Sequence, residues 1–224
     1  ALVRSVAGAL WRTEACAWPF VRECALVFDD RSIIHVSPQL TSSLAVPTER
    51  RIIKALRDSL VAPKSVSGIR IKTHAAIHEL DEQSQIEAAE KAFCAVLSKR
   101  SAINVVCLLH EDFPIELPVF GHDLKAGGGG QTENMHVLMV LGTVRDMTIA
   151  EQKAILNVCS KRKLRLVGCN LGRAPEFTSK ILHALNCHAL NGRLASALDA
   201  LPPVGEWGAL KKLAPTHRSV NKAG

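Results

Sequence analysis

The chain has 224 residues, 47% hydrophobic and 22% charged, the balance of an ordinary soluble globular protein with room for one large domain or two small ones. Aromatic residues reach only 4% and tyrosine is absent, which argues against RNA binding by stacked rings, and no apolar run approaches the ~20 residues of a membrane span. The formal charge of +7 is concentrated: residues 135–224 hold 13 Lys+Arg and 5 Asp+Glu, residues 1–134 hold 15 and 16, so the whole excess lies in the last part and points to a polyanionic partner.

In chain order, residues 1–22 carry Arg4, Arg12 and Arg22 against one acid, Glu14, among small and apolar residues. Two readings fit: the tail of an organelle-targeting sequence, or an amphipathic arm lying on a partner. A helix follows around Glu49–Leu60, and Ala62-Pro63-Lys64-Ser65 marks a soft boundary, so residues 1–65 are expected to form an amino-terminal extension. Next come a strand at Ile69–Lys72, a helix at Gln83–Leu97 and a strand at Ile103–Leu109. In that helix Ile86, Ala89, Phe93, Val96 and Leu97 recur at helical spacing. Phe113-Pro114 and Pro118-Val119 interrupt regular structure before a first domain of residues 66–125 closes at Lys125.

Four consecutive glycines, Gly127 to Gly130, sit in a linker of residues 126–134 that would span about 17 Å as a flexible coil. The carboxy-terminal module, residues 135–216 with a tail at 217–224, opens with a strand at His136–Gly142. Thr148 and Glu151 have the Thr-x-x-Glu spacing of a capping box, opening a helix to about Lys161. Leu164–Asn170 reads as a strand. Pro175 suits the first turn of a second helix presenting Phe177, Ile181, Leu182, Leu185 and Ala189 on one face. Leu194–Leu201 and Trp207–Leu213 are expected as strands around Pro202-Pro203-Val204-Gly205. The fold class is therefore α/β (α+β), two small two-layer domains joined by a Gly-rich linker, the second β-α-β-α-β-β with its helices on one side of the sheet.

The densest basic run is Lys161-Arg162-Lys163-Leu164-Arg165. Cations complement the negative end of a helix dipole, but four in five residues exceed what capping requires, and phosphate contact answers the surplus. Arg173, after Gly172, offers a planar fork for phosphate or a salt bridge to Glu176. Arg145, Lys153, Lys180, Arg193, Lys211 and Lys212 complete the candidate RNA-binding set.

Seven scattered cysteines, none in a C-x-x-C pair, argue against a disulfide framework or a zinc site and for a non-secretory compartment. His74 and His78 lack companion ligands, and His183 and His188 are poorly spaced for a shared ion. Asp29-Asp30 and His110-Glu111-Asp112 place acids near strand ends without a nucleophile arrangement. No phosphate-cradling glycine motif with its lysine is present. Covalent chemistry, metal and cofactor are not expected.

Three stretches carry a resemblance to a known family. They are Ile103-Asn104-Val105-Val106 with Phe113-Pro114, Pro118-Val119 and Asp123-Leu124-Lys125; Leu166–Leu171 with Gly172-Arg173; and Pro202-Pro203, Gly205 and Leu210–Pro215. Over roughly residues 66–216 the chain resembles the bacterial and mitochondrial translation initiation factor three family, which joins two small α/β domains through a mobile linker. The resemblance implies a non-enzymatic factor of the mitochondrial matrix, monomeric off the ribosome and without membrane contact. It would bind small-subunit rRNA and ribosomal proteins, block premature large-subunit joining and favour correct pairing of initiator tRNA with the start codon. Two other readings stay open: a mitoribosomal structural or small-subunit assembly protein with the same fold, and an RNA-modifying enzyme with a nucleotide or methyl-donor pocket.

Overall fold

A computed structural model of the chain describes residues 2–13, 16–44, 46–62, 65–72, 81–97, 102–110, 113, 115–117, 135–142, 147–170 and 178–204. The first 72 residues contain α1 (Leu2–Leu10), the short pair β1 (Trp11–Thr13) and β2 (Cys16–Ala17), β3 (Cys24–Val27), β4 (Ile33–Val36), α2 (Gln39–Ser43), α3 (Glu49–Val61) and β5 (Ile69–Lys72). Strands β3, β4 and β5 form an antiparallel sheet in that order. Strand alternation sends Ile34 and Val36 toward Val6 and Leu10 of α1 and Ile52, Ala55 and Leu56 of α3, one buried cluster. Thr48 caps α3 by accepting from the Arg51 N–H. Gly68, at φ +87°, brings its backbone so close to α2 that a Cβ would lie 2.4 Å from the Leu40 nitrogen.

The expected extension is thus a folded layer with its own core. β5, expected in the following domain, is its edge strand, so the boundary at residue 65 cuts through one sheet.

The rest comprises α4 (Glu82–Leu97), β6 (Val105–Leu109), β7 (Val137–Leu141), α5 (Ile149–Lys161), β8 (Arg165–Cys169), α6 (Thr178–Leu190) and α7 (Arg193–Ala200). β6 lies between β7 and β8, parallel to both, with Val105 opposite Val137 and Arg165. Val106, Leu108, Leu138 and Leu166 face Phe93 and Leu97 of α4 and Ile155 and Val158 of α5. The alternate residues Val105, Cys107, Leu109 and Val167 face Leu185 of α6 and Leu194, Ala197 and Leu198 of α7. Helices therefore cover both faces of a parallel sheet, three layers in place of the two expected.

Two further corrections follow. Leu194–Leu201, expected as a strand, is mostly helix α7, whose Leu194, Ala197, Leu198 and Leu201 seal the second face of the sheet. The expected β-α-β-α-β-β order with helices on one side does not hold among the described residues. And β6, assigned to the first domain, is the central strand of a sheet whose other two strands were assigned to the second, so the two expected modules share one hydrogen-bonded sheet and its cores. The linker 126–134, Pro175, Phe177 and Trp207–Leu213 lie outside the described residues.

α3, β5, α4, β6, β7, α5 and β8 lie where expected to within a few residues, whereas α1, α2 and β1 to β4 were not foreseen. The five apolar positions foreseen in the helix now called α4 are all buried. Asp81 accepts the Ser84 N–H at 2.7 Å, and that bond holds its carboxyl below the usual range. Thr148 and Glu151 form the reciprocal capping box of α5. Alanines at 89, 150 and 154 let α4 and α5 approach closely, while Ala92 and Val96 on another face of α4 meet Ile33 of the antiparallel sheet. α4 is thus packed between the two sheets.

Two further contacts among the described residues join the amino-terminal layer to the remainder. Arg31, at φ 63° in the β3–β4 turn, donates to Glu151 Oε1 at 2.6 Å, with side chains only 12% and 16% exposed. α1 packs on α6, where Asn186 Nδ2 donates to the carbonyls of Gly8 (3.3 Å) and Ala9 (3.1 Å), acceptors left over at the end of α1. Among the described residues no helix is long and apolar enough to cross a membrane.

Candidate nucleic-acid interface

The basic run at the end of α5 is the place to look first, and the structure divides it. Lys161 donates to Glu90 Oε2 of α4 at 2.8 Å, and Asn157 donates to the other oxygen of the same carboxylate at 2.8 Å. Burial raises the pKa of Glu90, but the bonds from Lys161 and Asn157 outweigh it and hold the carboxyl below its ordinary value; Lys161 is raised in return by Glu90. Lys153, about two turns earlier on α5, donates to Glu82 Oε1 at 2.5 Å. These two lysines fasten α5 to α4.

Arg165 is the cation most fully engaged within the fold. Its Nη2 donates to the carbonyls of Leu198 (3.1 Å), Asp199 (2.8 Å) and Leu201 (2.8 Å), and Nη1 reaches Asp199 Oδ1 at 3.1 Å. Carbonyls at a helix carboxy-terminus lack intrahelical donors, so this guanidinium closes α7 and ties it to the first residue of β8. Among the described residues Arg165 therefore serves as a structural clamp.

Arg162 and Lys163 remain exposed, and neither forms an ion pair among the described residues. They occupy the turn from α5 into β8. The Leu164 N–H donates to Cys159 O at 2.9 Å and the Lys163 N–H to Ser160 O at 3.2 Å, the paired bonds of a Schellman end. Lys163 holds the left-handed position of that motif at φ 54°, where glycine is the usual residue and any other costs roughly 1 kcal/mol.

The remaining candidates do not gather around this turn. Thr178 Oγ1 donates to Gly142 O at 3.1 Å, so the start of α6 lies at the carboxyl end of β7. Exposed Lys180 is near that end, whereas Arg162 and Lys163 lie at the amino end of β8. Arg193 is exposed at the start of α7 and helps lower the pKa of His188, an effect led by the burial of that imidazole. Arg145, Arg173, Lys211 and Lys212 lie outside the described residues, as do His74 and His78.

Among the described residues, several other sequence candidates make contacts within the fold, while Glu111 and Asp112 lie outside those residues. Asp30 accepts from the backbone N–H and hydroxyl of Ser32, shaping the β3–β4 turn. His110 packs against Phe113, and His183 meets Trp18 edge-on. Cys107, Cys159 and Cys169 are buried; burial alone pushes the Cys159 thiol up to about 12, and Cys107 is raised by its contact with Cys169, 3.6 Å away, and by burial. No group of three or more His, Cys, Asp or Glu among the described residues could hold a metal.

The sequence reading missed two polar sites. One is the Arg31–Glu151 pair, for which a capping glutamate gives no hint of an outside partner. The other is half-buried Glu23, which bonds His35 Nδ1 and accepts from Arg70 Nη2 at 3.0 Å. Apolar neighbours on both sides of His35 in Ile33–Val36, without alternation, were the available sign that His35 enters a protein layer.

Comparison of the chain with protein-family models, with curated proteins and with solved structures finds no match.

Proposed function

We propose that this chain is a non-enzymatic RNA-contacting protein of the small subunit of a mitochondrial ribosome, touching rRNA phosphates through the turn that carries Arg162 and Lys163. One observation carries the reading. Lys163 is an exposed lysine in a conformation where glycine would be cheaper, beside a second exposed cation, Arg162, in the part of the chain that holds the whole cation excess. Structural demand explains Lys153, Lys161 and Arg165; it does not explain these two.

Lys163→Gly is the discriminating variant. Relief of the left-handed strain should raise the melting temperature, while loss of one phosphate contact should weaken binding to isolated small subunits. It should also flatten the slope of log affinity against log salt by about 0.7–0.9. Arg162→Glu with Lys163→Glu should abolish binding with the fold intact. Undiminished binding by that double variant overturns the proposal.

The specific mode implied by the family resemblance is that of an initiation factor, with subunit occupancy and large-subunit docking mutually exclusive. A second reading, a structural or assembly component, is favoured by the shared β7-β6-β8 sheet, because halves joined by one sheet do not swing as separate modules. Light scattering of mixed subunits separates them: a factor reduces association, and a structural component leaves it unchanged.

A further inference from the structure

The amino-terminal layer holds a cavity that the RNA reading does not use. It opens at the end of the antiparallel sheet where β4 leaves and β5 begins, and its volume is about 800 Å³. That is within the ~300–1,000 Å³ of small-ligand sites. Arg22 and Arg70 line it together with Ser37, Thr41 and Ser42, and no acidic residue is among its lining. Trp18, with Pro19, Val21 and Pro38, supplies an apolar wall.

Three features make this more than a surface dent. Trp18 is only 2% exposed, yet its indole N–H has no hydrogen-bond partner among the described residues. Buried indole donors normally find an acceptor. Arg70 is oriented from behind by Glu23, whose carboxylate also holds His35, leaving the rest of the guanidinium fork for another acceptor. Arg22 forms no ion pair among the described residues, so the cavity wall carries one uncompensated cation and one shared one.

From this arrangement we infer a binding site for a phosphomonoester attached to an apolar or planar body. Two guanidinium forks with the Ser42 hydroxyl match the three acceptor oxygens and double charge of a terminal phosphate better than the two oxygens of a carboxylate, while the Ser37 and Thr41 hydroxyls donate within the fold, to Gln39 Oε1 and Pro38 O. The Trp18 and proline wall takes the apolar part, as in pockets where a few polar groups orient a largely apolar ligand. The site lies wholly within residues 17–70 and stands independently of RNA contact by Arg162 and Lys163.

The test uses the full chain, with titration calorimetry against AMP, phenyl phosphate, adenosine and inorganic phosphate. AMP and phenyl phosphate should each bind saturably, inorganic phosphate should compete with both, and adenosine should bind at least tenfold more weakly than AMP. Preference between AMP and phenyl phosphate reports whether the body is a nucleoside or a simple ring. Arg22→Gln, at an exposed position, should weaken binding at least tenfold and leave the melting temperature unchanged. Arg70→Lys, which retains a charge for Glu23 but loses the fork, should weaken binding with the fold preserved. Failure of both esters to saturate overturns the proposal, and so does equal affinity for adenosine and AMP. Unaltered binding by folded Arg22→Gln also refutes it.

Discussion

Replacing Arg165 by methionine separates the two roles open to this cation. Methionine keeps much of the apolar stem and removes the donors. The folded state loses three bonds to carbonyls at the end of α7 and the contact with Asp199. A hydrogen bond from a charged donor contributes about 1.5–3 kcal/mol when isolated. These share one guanidinium that is 26% exposed, so they do not add, and water recovers part of the loss. About 2–4 kcal/mol is a reasonable total, and at roughly 2–4 °C per kcal/mol for a chain of this size the midpoint should fall by about 5–15 °C. Thermal unfolding followed by circular dichroism measures it, with Arg162→Met as the control expected to change stability by under ~0.5 kcal/mol. Well below its melting temperature, the Arg165 variant should still bind small subunits like the parent. An unchanged midpoint, or a binding loss in a fully folded variant, would show that the clamp on α7 was misjudged.

Gly8→Ala tests the α1–α6 contact: the new Cβ would lie 2.4 Å from Ser179 O, so the helices must part, at about 1–3 kcal/mol. Helix propensity alone favours alanine by ~0.8–1 kcal/mol, so a stabilised variant in urea denaturation would mean the two helices are not in contact. Glu90, whose folded pKa is depressed, adds stability above its unfolded value and loses it as pH falls through the folded one. Lys161→Met should therefore lower the urea midpoint at about pH 7 and have little effect at about pH 2; equal losses at both would remove the ion pair from the account. In thiol labelling of the native protein, exposed Cys16 should react first, while Cys159, with its thiol pushed up to about 12, should stay unmodified until unfolding. Early modification of Cys159 would contradict its burial.

Local signals in this chain were legible because they are completed by near neighbours. Thr148 and Glu151 announce a helix start through contacts three residues apart, and the apolar spacing of Ile86 through Leu97 announces a face. Layer count was harder, although a sign of it was present. Val-Val-Cys-Leu-Leu and Val-Leu-Met-Val-Leu are unbroken apolar runs, the composition of strands covered on both faces, whereas a sheet with one open face alternates. Leu194–Leu201 was misread because leucine and alanine at short spacing suit a short helix as well as a strand, and the clamp that fixes its end comes from Arg165, 34 residues earlier. The partners that divide the basic run were hidden for a similar reason. Glu82 and Glu90 lie 71 residues from the lysines they hold, and charge counting along a chain carries no information about such pairs.

The position of β6 bears on how the protein could act. A factor that senses one partner with one module and excludes another with a second needs the modules to separate. Separation here would expose the parallel sheet: β6 pairs with β7 and β8 over five residues each, and Val106 and Leu108 are fully buried between α4 and α5. Breaking such a core amounts to unfolding rather than to a hinge motion. On the proposed reading, any exclusion of a competing subunit would then be steric and rigid, arising from where the body sits. The Arg162–Lys163 turn, held by the Schellman bonds and flanked by the Lys161–Glu90 and Arg165–Asp199 pairs, fits that role. It presents two cations from a fixed platform, so orientation on RNA would be set before contact and little ordering entropy would oppose it.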